Sequence, residues 1–265
     1  MASHRSSGGD PTRTLELLWR EATPAKGQRG PKQTLTVDAV VAAAVELADA
    51  EGLDAVTMRA LAGKLGIAPM GLYTYVPGRA ELLDLMLDAL YAGMARRKPK
   101  ARDWRSRLEA VAHDNRDLFT AHAWLADVST TRPPLGPGQL SKYEYELCAF
   151  EDSGLGDVEQ DAALTFVLGF VESCARAASD QRATQLESKM SEEAWWQAHA
   201  PLLSRMSDPE RYPTAARVGT AAGVAHGAAY NPEYAFRFGL ERVLDGLAAL
   251  VEKPPPRKRR PRTAP

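Results

Sequence analysis

Between residues 34 and 252 the apolar positions recur at the three- and four-residue spacing of helices, and no convincing strand-like alternation appears. The first segment, LTVDAVVAAAVELADAEG, places Val37, Val40, Val41, Ala44, Leu47 and Ala48 on one face. Thr36 predicts the N-cap, Asp38 falls in the electropositive first turn, Leu35 packs toward Val40, and Gly52 provides the terminating residue. A second, shorter segment repeats the device: Thr57 caps, Val56 faces Leu61, and Gly66 stops the helix after MRALAGKL. The third begins with Pro69 at a first-turn position and continues through PMGLYTYV. A fourth runs from about Gly78 through RAELLDLMLDALYAGMA to the polar break RRKPKAR. Beyond Asp103 the pattern predicts longer helices at about 103–121, 137–152, 157–184, 191–206, 209–224 and 232–251, separated by breaks such as TTRPPLGPG and DSGLGD. The predicted architecture is all-α.

Two of these helices differ from the rest. In DAALTFVLGFVESCARA apolar residues cover most of the circumference, and in EYAFRFGLERVLDGLAALV they recur alternately four and three apart. A helix apolar nearly all round must be buried, and two of them predict a bundle shared between subunits. The expected dimer contacts are Leu164, Leu168, Val171, Phe236, Leu240, Val243 and Leu247. A core confined to one chain is the alternative.

Composition changes the picture mainly at the ends. Residues 1–102 carry 14 Lys/Arg against 11 Asp/Glu, residues 103–252 carry 13 against 23, and residues 253–265 carry 6 against none. A polyanion would therefore meet the ends of the chain and be repelled by its middle. Residues 1–33, rich in Gly, Ser, Pro and basic side chains, predict a flexible basic arm, with RTLELLWRE able to form a turn or two of helix. Residues 253–265, KPPPRKRRPRTAP, predict a disordered basic tail. Two cysteines, Cys148 and Cys174, predict no disulfide framework, and no signal peptide or bilayer-length apolar run is evident. A cytoplasmic protein without a membrane partner is expected.

Five scattered histidines show no metal-ligand spacing, and neither a phosphate-binding loop nor a nucleophile elbow is present. No enzyme activity, metal or cofactor is expected. Residues 57–76 instead fit a helix-turn-helix: a supporting helix, GIA as the turn, and a short reader. A reader entering a groove about 12 Å wide needs a slim outward face, which Ala68, Pro69, Met70 and Gly71 provide. Tyr73, Thr74 and Tyr75 offer hydroxyls to phosphates, and Thr57 and Arg59 stand at the start of the supporting helix. Arg79, at the start of the next helix, is placed to clamp the DNA backbone. In the arm, Lys26, Arg29 and Lys32 precede the first helix and have the character of a minor-groove contact, with a solvated linker as the alternative.

VTMRALAGKLGIAPMGLYTYVPGRAELLDLM, preceded by VVAAAVELADAEGLDA, resembles the DNA-binding domain of the TetR family of bacterial transcriptional regulators. The closing FRFGLERVLDGLAALV is similar to the end of the tetracycline-repressor-like C-terminal domain, and AHAWLADV resembles regulators of antibiotic export. The resemblance implies a DNA-binding domain over 34–80, a ligand-binding and dimerisation domain over 81–252, and a homodimer. Such a dimer represses from a palindromic operator on double-stranded DNA until a small-molecule effector releases it. It also implies DNA contacts from Arg59, Pro69, Met70, Gly71, Tyr73, Thr74, Tyr75 and Arg79. The tip lacks the amide or guanidinium with which some members read bases, so Arg59, thymine methyls and DNA shape are left to carry specificity. Pockets of this kind are lined by aromatic and apolar residues with a few polar groups. The candidates are Trp104, His113, Asn115, Phe119, Trp124, Tyr143, Phe166, Phe170, Trp195 and Trp196, and a large, partly aromatic molecule is the expected effector class. The rival reading is a helical small-molecule-binding or interaction protein that does not touch DNA.

Overall fold

The structure, a computed structural model, describes residues 4–21 and 35–251. The N-terminal part contains α1 (Pro11–Leu18), α2 (Val37–Glu51), α3 (Met58–Lys64) and α4 (Pro69–Leu72). α5 (Arg79–Gly93) leads into α6 (Trp104–Ala121), α7 (Pro137–Leu147) and the long α8 (Asp157–Ser188), followed by α9 (Glu192–Met206), α10 (Pro213–His226) and α11 (Pro232–Val251). The strands among the described residues are β1 (His4–Arg5) and β2 (Val128–Ser129), which pair in parallel.

The local signals explain the N-terminal helices. Thr36 Oγ1 accepts the Ala39 N–H, and Thr57 Oγ1 accepts the Ala60 N–H, both at 3.1 Å, satisfying donors that each helix start leaves unpaired. Gly66 has φ +68°, a conformation that side chains resist, and it turns the chain out of α3 toward α4. Val40, Ala44, Leu61, Leu72 and Val76 are buried together with Leu82 and Met86, so α5 completes the core of the helix-turn-helix domain. The same α5 packs on α7 so closely that a Cβ at Gly138 would lie 2.0 Å from the Asp88 carbonyl oxygen.

A second core joins α6, α8 and α11 through Leu108, Val111, Leu164, Val167, Val171, Phe236, Leu240 and Leu244. Gly239 on α11 lets Phe170 of α8 approach: a Cβ there would sit 2.5 Å from the Phe170 ring. By length and composition α8 has the apolarity of a candidate membrane span. It packs against α6 and α11 through Leu164, Val167 and Val171, while much of its remaining surface is exposed.

Three expectations are corrected. Within residues 1–33, residues 4–21 are folded, not a free arm: Asp10 caps α1 by accepting the Arg13 N–H, Pro11 occupies its first turn, and Leu18 is buried in the first core. The predicted helices at 137–152 and 209–224 shift, because Cys148–Phe150 tightens to a 3-10 turn and Pro213 starts α10. Most consequential, Leu164, Val171, Phe236, Leu240, Val243 and Leu247, expected at a dimer interface, are already buried within one chain, and Leu168 is half-buried against them. The spacing identified a buried face correctly, but its counterpart belongs to the same chain.

Candidate nucleic-acid interface

The reader is held by main-chain and apolar contacts that leave its outer face open. The Ile67 N–H donates to Ala62 O at 3.1 Å across the turn, and the buried Leu72 and Val76 pin α4 and the turn after it to Leu61. Pro69, Met70, Tyr73 and Thr74 then face outward, with Met70 77% exposed and Tyr73 45% exposed. Ala68 is also exposed, while Tyr75 is half-buried against the domain core. Thr74 Oγ1 donates to Gly71 O at 2.7 Å, leaving its oxygen able only to accept. Gly71 has open space around its Cα and no positive φ, so nothing among the described residues requires glycine there.

Thr57 and Arg59 are exposed at the start of α3, and Arg59 makes no hydrogen bond or ion pair among the described residues. Arg79, expected as a phosphate clamp, is exposed and also makes main-chain bonds within the chain. Its Nε donates to Val56 O and its Nη2 to Leu53 O, each at 3.0 Å, with the Asp54 carboxylate 4.0 Å from Nη2. The guanidinium thus fastens the start of α5 to the turn between α2 and α3, leaving Nη1 without a bond among the described residues. Arg29 and Lys32 lie outside the described residues, as do Lys26 and the basic tail.

The candidate effector contacts do not converge on one cavity. Trp104 and Tyr143 are partly buried at the edge of the second core, and Tyr143 donates to Asp161 at 2.7 Å. Trp124 is buried and donates to Asp49 of α2 at 2.8 Å, while His122 Nδ1 lies 2.9 Å from the same carboxylate. Phe166 is exposed, whereas Phe170 stacks on Phe236. Trp195 and Trp196 stack on each other on α9, and the indole of Trp196 lies against Gly223 of α10 beside a cleft of about 420 Å³. Nearer the body, Phe119, Arg116, Cys174 and Phe236 line a smaller recess of about 180 Å³ between α6, α8 and α11. His113 meets Phe236 edge-on at 5.3 Å; burial, then the nearby Arg97 charge, lowers its pKa.

Asn115, a candidate ligand contact, stands in a buried network that sequence reasoning missed. Its Nδ2 donates to Glu146 Oε1 at 2.7 Å, and Lys142 Nζ donates to the same oxygen at 2.5 Å, with all three residues buried. Beside them Arg97 bonds Asp114 at 2.7 Å, and Tyr145 donates to Asp114 at 2.6 Å. Burial pushes the hydroxyls of Tyr145 and of Tyr91, which lies under Lys142, above their ordinary range, so both stay protonated. The available signal was the four-residue spacing of Lys142 and Glu146, which is common on exposed helices.

An open-faced reader mounted on a capped supporting helix, and joined by α5 to a larger helical body, defines a helix-turn-helix DNA-binding regulator. Residues 40–86 match the bacterial regulatory proteins of the tetR family, and residues 98–251 match the tetracyclin repressor-like C-terminal domain. The chain therefore belongs to the TetR family; it is a transcriptional regulator and not an enzyme. It is 39% identical over 256 residues to the HTH-type transcriptional repressor DrrR1 of Streptomyces coeruleorubidus, spanning 94% of this chain and 90% of that one. It is 26% identical over 212 residues to the class C tetracycline repressor protein of Escherichia coli, covering 79% and 89% of the two chains. Among solved structures, ActR of Streptomyces coelicolor in complex with (S)-DNPA matches with TM-score 0.67 and 28% identity, covering 82% of this chain and 98% of that one. ActR in complex with actinorhodin matches with TM-score 0.66 and 27% identity, over 82% and 96%.

Proposed function

We propose that the protein is a ligand-responsive repressor that binds a palindromic operator as a homodimer, that a small hydrophobic or aromatic molecule releases it, and that an efflux gene is among its targets. The observation carrying this reading is a second apolar surface, on the outer sides of the helices whose inner sides form the body's core. On α8, Val158, Ala162, Thr165, Phe166, Gly169 and Ser173 form an exposed stripe at helical spacing; on α11, Tyr234, Phe238 and Leu250 are exposed. A two-fold contact through this surface is self-complementary, and it would present two readers to half-sites about one helical turn apart. The interface residues are then Phe166, Phe238 and their neighbours, not the core residues behind them. ActR, a likeness of this chain, has been solved with small molecules bound, which supports effector binding in the helical body.

DNA contact rests on Thr57, Arg59, Ala68, Pro69, Met70, Gly71, Tyr73 and Thr74, with Tyr75 and Arg79 bracing the reader. The protein works in the cytoplasm, where its operator is. The direct test is selection of duplexes from a random library by the full chain. An enriched inverted repeat bound by a dimer is expected. A folded protein that enriches no sequence, even at low salt, would defeat the proposal in favour of a helical binding protein.

A further inference from the structure

The most N-terminal described segment makes a set of contacts that the functional reading does not use. On the body side, β1 pairs with β2, the buried Ser6 donates its N–H to Ser129 O at 3.1 Å, and its Oγ donates to Arg132 O at 2.6 Å. Ser7 Oγ donates to Pro133 O at 3.1 Å, and Trp19 Nε1 donates to Leu135 O at 2.9 Å. On α5, Asp84 accepts the Ser7 N–H at 2.8 Å and Glu81 accepts the Asp10 N–H at 3.1 Å. Gly9 lies so close to Glu81 that a Cβ there would meet the carboxylate at 2.5 Å. On the side of the helix-turn-helix domain, His4 Nε2 lies 3.1 Å from Asp54, Arg20 bonds Asp38 of α2, and Leu18 is buried in that domain's core.

We infer that residues 4–20 are a clasp that holds the DNA-binding domain in a fixed orientation on the helical body. Among the described residues the two parts are otherwise joined by α5, by the bonds of Asp49 to His122 and Trp124, and by Leu118, Trp124, Leu125 and Val128 packing into the first core. The clasp meets the body at 129–135, α5 at its first two turns, and the DNA-binding domain at Asp38 and Asp54. Three anchorages that are not in line define an orientation, where one or two define only an axis. On the body side the anchorage is the buried Ser6 with exposed bonds from Ser7 and Trp19, and on the DNA-binding side it is the buried Leu18 with the exposed Asp38 and Asp54, so the segment is tied to both parts. Its effect on DNA binding rests on the regulator reading above; its hold on the domain does not.

The test is amide hydrogen exchange on the full chain, on a chain lacking residues 2–20, and on Ser6→Ala. Ser6 touches the body and not α2, so its replacement separates a clasp from local packing. In the deletion, α2 peptides should exchange about tenfold faster while α6, α8 and α11 keep their protection; in Ser6→Ala, α2 should exchange about threefold faster. Affinity of the deletion variant for a duplex selected by the intact chain should fall about tenfold. Unchanged α2 exchange in both variants overturns the clasp, as does a Ser6→Ala effect confined to residues 4–20 and 128–135. Should the deletion fail to fold, Ser6→Ala decides alone. Faster α2 exchange with unchanged duplex affinity overturns its bearing on DNA binding. Failure of the intact chain to select any duplex defeats the regulator reading instead, and the exchange result still decides the clasp.

Discussion

Lys142 shows how far a side chain's meaning depends on where it is buried. Its ammonium sits beside Glu146, which also accepts from Asn115, and all three are buried. Removing one partner leaves a charge without its counterpart, so Lys142→Met should destabilise the fold by about 3–5 kcal/mol in denaturant unfolding, while adding Glu146→Leu should recover most of that loss. Asp84 is another buried carboxyl. Burial raises its pKa, the Ser7 N–H opposes this, and the Glu81 charge adds to it. Because the folded state holds this proton more tightly than the unfolded chain, its ionisation costs stability as pH rises from the ordinary aspartate range through the raised value. Asp84→Asn keeps an acceptor for Ser7 without that charge, and the dependence of Tm on pH should flatten across this window. Arg59 faces outward with no bonding partner among the described residues, and Arg59→Ala should relax base preference at one position per half-site, by about 1–3 kcal/mol against the wrong base in competition binding. The helix start that Thr57 caps was legible in the sequence because caps are local features. The Asn115–Glu146–Lys142 network was not, because its members gain their meaning from α6 and α7 meeting.

At the level of elements, a periodic apolar stripe declares that a face is covered without saying by what. In α11 the alternation through Phe236, Leu240, Val243 and Leu247 located the buried face, and α6 and α8 of the same chain cover it. The opposite side was harder to see, since glycine, serine and threonine dilute the outer stripe of α8 and charged residues interrupt that of α11. Phe166→Glu together with Phe238→Glu should give folded monomers in analytical ultracentrifugation, since two like-charged patches would be buried twice over across a two-fold axis. Gly239→Val tests the inner side. Its added carbons enter space held by Phe170, and the fold should lose about 1–3 kcal/mol in thermal unfolding. The short α1 was equally legible in retrospect: Asp10 and Pro11 are a helix start, outweighed by the glycine, serine and arginine around them.

Across the whole molecule, charge and architecture divide the labour. The helical body over 103–252 is strongly acidic, so it faces DNA only at a distance, and the basic N-terminal section is the part that approaches. The logarithm of the operator affinity should fall linearly with that of salt concentration, with a slope of about −0.9 per phosphate contacted. The α5 helix has 15 residues, lies in the first core and packs against α7 of the body. A rod of that length spans about 22 Å, so a tilt of about 10° moves its far end by roughly 4 Å. That travel is close to the roughly 3.4 Å step between base pairs. A binding event that did no more than lean this helix would put each reader a full rung out of register with its half of the operator.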